Sequence, residues 1–146
     1  MLDVTYEAVA MEQGRLAKIE EDRGTVRVSL DKDQPLPVVV RQLNVELAQL
    51  LTSSFWYQLW GDEIVSKDTP LRSLRVVCYL QRREDECVFI EERKGLVCIF
   101  IDPALAVDEF AAAMNPAIVK FLSRGHWFQM FAGEIIDNSA EPMRQA

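Results

Sequence analysis

The sequence predicts an α+β fold built by tandem internal duplication. Each half is expected to be a three-stranded antiparallel meander followed by two or three helices, and the halves to be pseudo-two-fold symmetric. Three observations carry this. W-Y-Q-L-W-G-D-E-I-V at 56–65 returns as W-F-Q-M-F-A-G-E-I-I at 127–136, an offset of 71. At that offset Ile19-Glu20-Glu21 falls on Ile90-Glu91-Glu92, Gly24 on Gly95, Val26 on Val97, Asp31 on Asp102, Asn44 on Asn115 and Leu51 on Leu122. Such ungapped self-similarity is the mark of a repeated unit. A half of this size buries a core poorly alone, so two halves sharing one core is the cheaper solution. Finally, each half opens with β-rich runs and continues with helical spacing.

The elements follow in order. In the second half, Leu74–Gln81, Glu86–Glu92 and Leu96–Ile101 are rich in Val, Ile, Phe and Cys, with short polar turns between them. The turns are Glu12-Gln13-Gly14 against Glu84-Asp85, then Asp22-Arg23-Gly24 against Arg93-Lys94-Gly95. Links this short read as antiparallel hairpins. Asn44 and Asn115 share a repeat position and Pro116 follows the second, which reads as an N-cap with Pro at the first helical position. The helical region is therefore expected to break there. Leu47, Leu50, Leu51 and Ile118, Phe121, Leu122 keep the spacing of one buried helix face. A further helix is expected to carry Trp56, Leu59, Trp60 and Ile64, and Trp127, Met130, Phe131 and Ile135. One compact domain, 1–137, is expected, made of repeats 1–66 and 72–137 with a linker at 67–71; 138–146 reads as a flexible tail.

Composition narrows function. A net charge of −7 and a pI near 4.8 disfavour nucleic acid and anionic membranes as partners. No apolar run approaches a membrane span, and the N-terminus shows no basic and apolar signal pattern. Cys78, Cys87 and Cys98 are an odd number with no counterpart in the first half, so reduced thiols and a cytoplasmic location are expected. Catalysis has little to stand on. His126 is the sole histidine, and there is no C-x-x-C, phosphate-binding Gly loop or G-x-S-x-G. No catalytic residue, metal ligand or cofactor is assigned. The doubled Glu20-Glu21 and Glu91-Glu92 read as solvated hairpin ends.

The halves differ most on their strands. At the offset of 71, Glu7 becomes Cys78, Lys18 becomes Phe89, Arg27 becomes Cys98 and Ser29 becomes Phe100. Arg27 and Ser29 alternate with Val26, Val28 and Leu30, so they lie on the sheet face opposite the core. That face is polar in the first half and apolar in the second, which is unfavourable unless something covers it. Cys78, Phe89, Cys98 and Phe100 are accordingly the candidate docking residues. The cover is either another protein, a second copy in a homodimer, or a helix of the same chain. The expected function is a non-enzymatic protein-binding module: an assembly factor, adaptor, chaperone-like or immunity-type protein. One alternative rests on Arg72, Arg75, Arg82 and Arg83 beside Tyr79. With tandem strand-rich units, this topology resembles single-stranded nucleic-acid-binding proteins of the whirly and PUR types. The other is a small-ligand sensor with a pocket between the repeats, using the twice-used Gln58, Glu63, Gln129 and Glu134.

Overall fold

A computed structural model describes residues 2–59, 74–93, 95–132 and 134–138. The first half runs β1 (Asp3–Val9), β2 (Ala17–Asp22), β3 (Thr25–Asp31), α1 (Leu36–Ser53) and β4 (Phe55–Leu59). The second runs β5 (Arg75–Leu80), β6 (Val88–Arg93), β7 (Leu96–Ile101), α2 (Val107–Leu122), β8 (His126–Phe131) and β9 (Glu134–Asp137). These strands form three small sheets, ordered β1-β3-β2, β5-β7-β6 and β4-β8-β9.

The expected meander is wrong. β1 lies parallel to β3, and β2 lies antiparallel on β3's other side; β5, β7 and β6 repeat the pattern. A short link does not oblige its two strands to be neighbours. Residues 10–16 can reach about 23 Å when extended, whereas crossing one intervening strand takes about 10 Å. The central place goes to the strand with the most to bury. Val28, Leu30 and, in β7, Val97, Ile99 and Ile101 are all buried. The β2–β3 hairpin does form where Gly was expected to allow it: Arg23 and Gly24 both have positive φ, 49° and 92°.

The expected helices also need correction, for among the described residues each half carries one. α1 is a single helix with Pro35 at its N-cap and Ser54 at its C-cap. α2 runs straight through Asn115 and Pro116. Its start is marked instead by Glu109, whose Oε1 accepts the Ala106 N–H at 2.9 Å, and by Asp108 and Glu109 in the first turn. Asn115 is not a cap. Its Oδ1 accepts the Tyr6 N–H at 2.7 Å and its Nδ2 donates to the Tyr6 carbonyl at 3.0 Å. Asn44 does the same to Cys78, at the same two distances. Each asparagine thus occupies one backbone position on the open edge of a strand in the other half, and that edge is partly closed.

The W-x-Q-x-[WF] segments, expected as a third helix, are β4 and β8. They pair antiparallel with each other, Trp56 opposite Gln129, Tyr57 opposite Phe128, and Gln58 opposite Trp127. Equivalent residues therefore cross at Tyr57 and Phe128, which fixes where the halves meet. The apolar spacing fits a helix, but these runs are short, aromatic and cut off by Ser53-Ser54 and Arg124-Gly125, and all three properties favour a strand.

The two helices join the halves. α1 packs on β2 of its own half and on β5 of the other; α2 packs on β6 and on β1. Leu36, Val39, Val40, Leu43 and Leu47 form the buried stripe of α1, each contributing about 1.5–3 kcal/mol of burial as an upper figure. On the α2 side Phe110 meets Tyr6 of the first half edge to face at 5.9 Å. Asn138, expected in the tail, is buried and gives its N–H to the Trp127 carbonyl at 2.9 Å. The linker 67–71 and residues 139–146 lie outside the described residues. Among the described residues no helix is long and apolar enough to cross a membrane.

Candidate functional site

The sheet β5-β7-β6 turns one face to the helices and the other outward. Alternation puts Val97, Ile99 and Ile101 of β7 inward, where they are buried, and Leu96, Cys98 and Phe100 outward. Register then defines the outward rows. Tyr79, Phe100 and Phe89 lie side by side across three strands; Val77, Cys98 and Glu91 form the next row, and Arg75, Leu96 and Arg93 the one beyond.

The first row is an aromatic ladder. Tyr79 stacks on Phe100 with centroids 5.5 Å apart and planes 22° from parallel, while Phe89 tilts against the other side at 6.5 Å. The Arg83 guanidinium sits 4.2 Å over the Phe100 ring, a cation–π contact of about 0.5–1 kcal/mol at a surface site. Phe100 is thereby only 7% exposed although it faces away from the helices, whereas Tyr79 is 41% exposed. The turn supports this. Glu84 and Asp85 both have positive φ, and the Arg83–Glu86 bridge closes the hairpin end that carries Arg83.

Charge surrounds the ladder. Glu91 accepts ion pairs from Arg93 at 2.6 Å and Arg83 at 3.5 Å, and Arg82 pairs with Asp102 at 3.0 Å. With Arg75 exposed at the far row, the rows themselves hold more cation than anion. The first half is the opposite. The row equivalent to the ladder is Glu7, Ser29 and Lys18, where Ser29 Oγ donates to Glu7 Oε1 at 3.1 Å. Asp3, Thr25 and Asp22 stand where the second half has Arg75, Leu96 and Arg93.

Phe89, Cys98 and Phe100 thus share the outward face, but Cys78 does not. It points inward beneath α1, 4% exposed, beside the Asn44 clamp. Burial pushes its thiol pKa up to about 12 and raises the hydroxyl of Tyr6 well above its usual value, the Cys78 thiol adding to the effect. Tyr79 takes the place sequence reasoning gave to Cys78. Between equivalent positions the first half has one residue more, Ala8 to Ala17 against Leu80 to Val88, so the first strands match at an offset of 72 and Glu7 corresponds to Tyr79. Aligning the first strand by its neighbours' pairing, rather than by one fixed offset, would have found it.

Of the proposed polar pocket, register places Gln129 and Glu134 on the same face of β4-β8-β9, one row apart. Gln129 is buried, with Nε2 3.2 Å from Ser54 Oγ and Oε1 lacking a partner among the described residues. Glu134 is exposed at the end of β9, opposite Phe131. Glu63 and the Gln58 side chain lie outside the described residues. Of the arginine cluster, Arg82 and Arg83 are engaged as above, Arg75 is exposed on the outward face, and Arg72 lies outside the described residues. Among the described residues no group of three or more His, Cys, Asp or Glu is placed to hold a metal ion. Comparison with protein-family models, with curated proteins and with solved structures finds no match.

Proposed function

We propose that the chain is a non-catalytic protein-binding module that docks its partner on the outward face of β5-β7-β6. One observation carries this: the Tyr79–Phe100–Phe89 ladder occupies the row that is Glu7–Ser29–Lys18 in the first half. The same backbone tolerates a fully polar row, so packing does not require the aromatics. Among the described residues neither helix covers them, since α1 and α2 lie against the other face. Aromatic and arginine side chains together are what buried interface centres are enriched in.

The partner's chemistry follows from the rim. Within the outward rows Arg75 and Arg93 accompany one acid, Glu91, while the hairpin end beyond Arg83 adds the exposed Glu84, Asp85 and Glu86, so a surface with apolar side chains whose carboxylates meet the Arg75–Arg93 end fits. The acidic first-half face of a second copy would match the charge but offers Glu7, Ser29 and Lys18 to the ladder, with nothing apolar to bury against it. A different protein therefore fits better than a homodimer.

The test transplants the first half's own row: Tyr79→Glu, Phe89→Lys and Phe100→Ser together. Panning a displayed peptide library on the wild-type chain is expected to enrich acidic peptides containing aromatic or aliphatic residues. The triple variant, folded by circular dichroism, is expected to lose them. Equal binding of the same peptides to both proteins refutes the docking face, and a wild-type dimer by light scattering that the variant abolishes moves the assignment to self-association.

A further inference from the structure

The sheet β5-β7-β6 has two edges, and Asn44 occupies the one along β5 at Cys78. The β6 edge is different. The Asp102 N–H donates to the Cys87 carbonyl at 2.9 Å, and the next pair of the ladder is Val88 with Ile101. Bonded and unbonded pairs alternate between antiparallel strands. Phe89, Glu91 and Arg93 therefore bond to β7, while Val88, Ile90 and Glu92 turn their N–H and C=O groups away from it. Among the described residues no hydrogen bond reaches those outward backbone groups. Such a row is a template for another strand.

A groove of about 470 Å³ runs along this edge, with Ala117, Lys120, Phe121 and Arg124 as its α2 wall. Its ends differ in charge. α2 starts just after Ile101, the partner of Val88, and its end shares a core void with Val97, the partner of Glu92. α2 thus runs along β6 toward Arg93. Lys120 and Arg124 join Arg93 at that end, and neither has an ion-pair partner among the described residues. Glu84 and Glu86 stand exposed at the other end. At the positions of Ala117, Lys120 and Arg124 the first half has Glu46, Gln49 and Ser53. Cations suit the C-terminus of either helix, so the helix alone does not account for the difference.

We infer that the β6 edge takes up one extended segment of the partner, paired antiparallel to β6. Its N-terminal end carries acidic side chains over Lys120 and Arg124, and its C-terminal end neutral or basic ones beside Glu84 and Glu86. This rests on the docking role proposed for the same sheet and adds how the partner's backbone is held. Antiparallel is the commoner pairing. The added strand continues the sheet, and its outward side chains lie next to Phe89 and lengthen the aromatic row.

The probe is the capped peptide acetyl-Glu-Thr-Glu-Val-Ser-Val-Lys-Thr-Lys-amide, with Glu, Ser and Lys on one side of a strand and Thr and Val on the other. When it binds the whole chain, hydrogen exchange of the Val88, Ile90 and Glu92 amides is expected to slow about tenfold or more. N-methylation of the second Glu, the Ser and the first Lys is expected to abolish binding, because in antiparallel register these N–H groups point at β6. N-methylation of both Val residues is expected to be tolerated. Lys120→Gln with Arg124→Ser, the first half's residues, is expected to weaken binding about fivefold. Unchanged exchange at roughly millimolar peptide overturns the edge site. Loss of binding on methylating Val instead makes the pairing parallel and overturns the orientation, and undiminished binding to the double variant overturns the charge order. Panned peptides that need the Tyr79–Phe100–Phe89 ladder but leave these amides unprotected strike the edge alone. Protection by the probe, with panning insensitive to the ladder, strikes the docking face alone.

Discussion

Replacing Asn115 by alanine tests the tie between the halves directly. The side chain makes two hydrogen bonds to Tyr6, at 2.7 and 3.0 Å. Two neutral bonds at about 1–1.5 kcal/mol each amount to roughly 2–3 kcal/mol, more if the partly buried Tyr6 groups stay unpaired. Alanine is the better helix former by roughly 0.6 kcal/mol, which offsets part of this. A net loss of about 2 kcal/mol is expected. In urea, with a slope of about 2 kcal/mol per M, the midpoint falls by about 1 M. Asn44→Ala should match it, because that clamp has the same geometry on Cys78. Asn115→Asp keeps an acceptor for the Tyr6 N–H but turns a carboxylate oxygen toward the Tyr6 carbonyl, so it should be no milder at neutral pH. A loss below about 0.5 kcal/mol for Asn115→Ala would show that water or strand movement replaces the clamp, and the reasoning would fail.

Two further predictions concern the core and the second helix. The Cys78 thiol titrates near 9 when exposed and is pushed up to about 12 by burial; Tyr6 is raised too. The unfolded chain therefore loses these protons first. Stability is full below about pH 9 and falls as pH rises, through Cys78 from about 9 and through Tyr6 from about 10; Cys78→Ala should flatten its share in urea titrations, and identical slopes would count against it. Pro116 sits inside α2 where the first half has Val45. Because proline removes one helical hydrogen bond and crowds the preceding turn, Pro116→Val is expected to raise the thermal midpoint by a stabilisation of about 1–2 kcal/mol, and a lower midpoint would show that the ring is needed for packing.

Local pattern was readable where burial alone decides it. The runs around β5, β6 and β7 are visible as apolar stretches between turn residues, as is the outward placement of Phe89, Cys98 and Phe100. Neighbour order was not. Nothing in the residues between Val9 and Ala17 says that the chain steps past β3 before pairing, because that choice belongs to the whole sheet. The aromatic segments around Trp56 and Trp127 satisfy helix and strand spacing alike, and their pairing partner lies 71 residues away. Asn44 and Asn115 looked like caps because asparagine is unfavourable inside a helix; their real partners, Cys78 and Tyr6, are distant in sequence. Tyr79 was hidden by the one extra residue that separates Ala8 from Ala17 compared with Leu80 from Val88.

The exchange of helices has a consequence for what joining the halves achieves. Were the two units separate polypeptides, each would need the other's helix to roof its sheet, and the folded fraction would track protein concentration. A single tether replaces that encounter with an intramolecular one at an effective concentration in the ~mM range. It also ends the obligation of identical subunits to change together. One exterior can then stay hydrophilic and keep the molecule dispersed while its twin becomes sticky, a division of labour that a symmetric pair of chains cannot make.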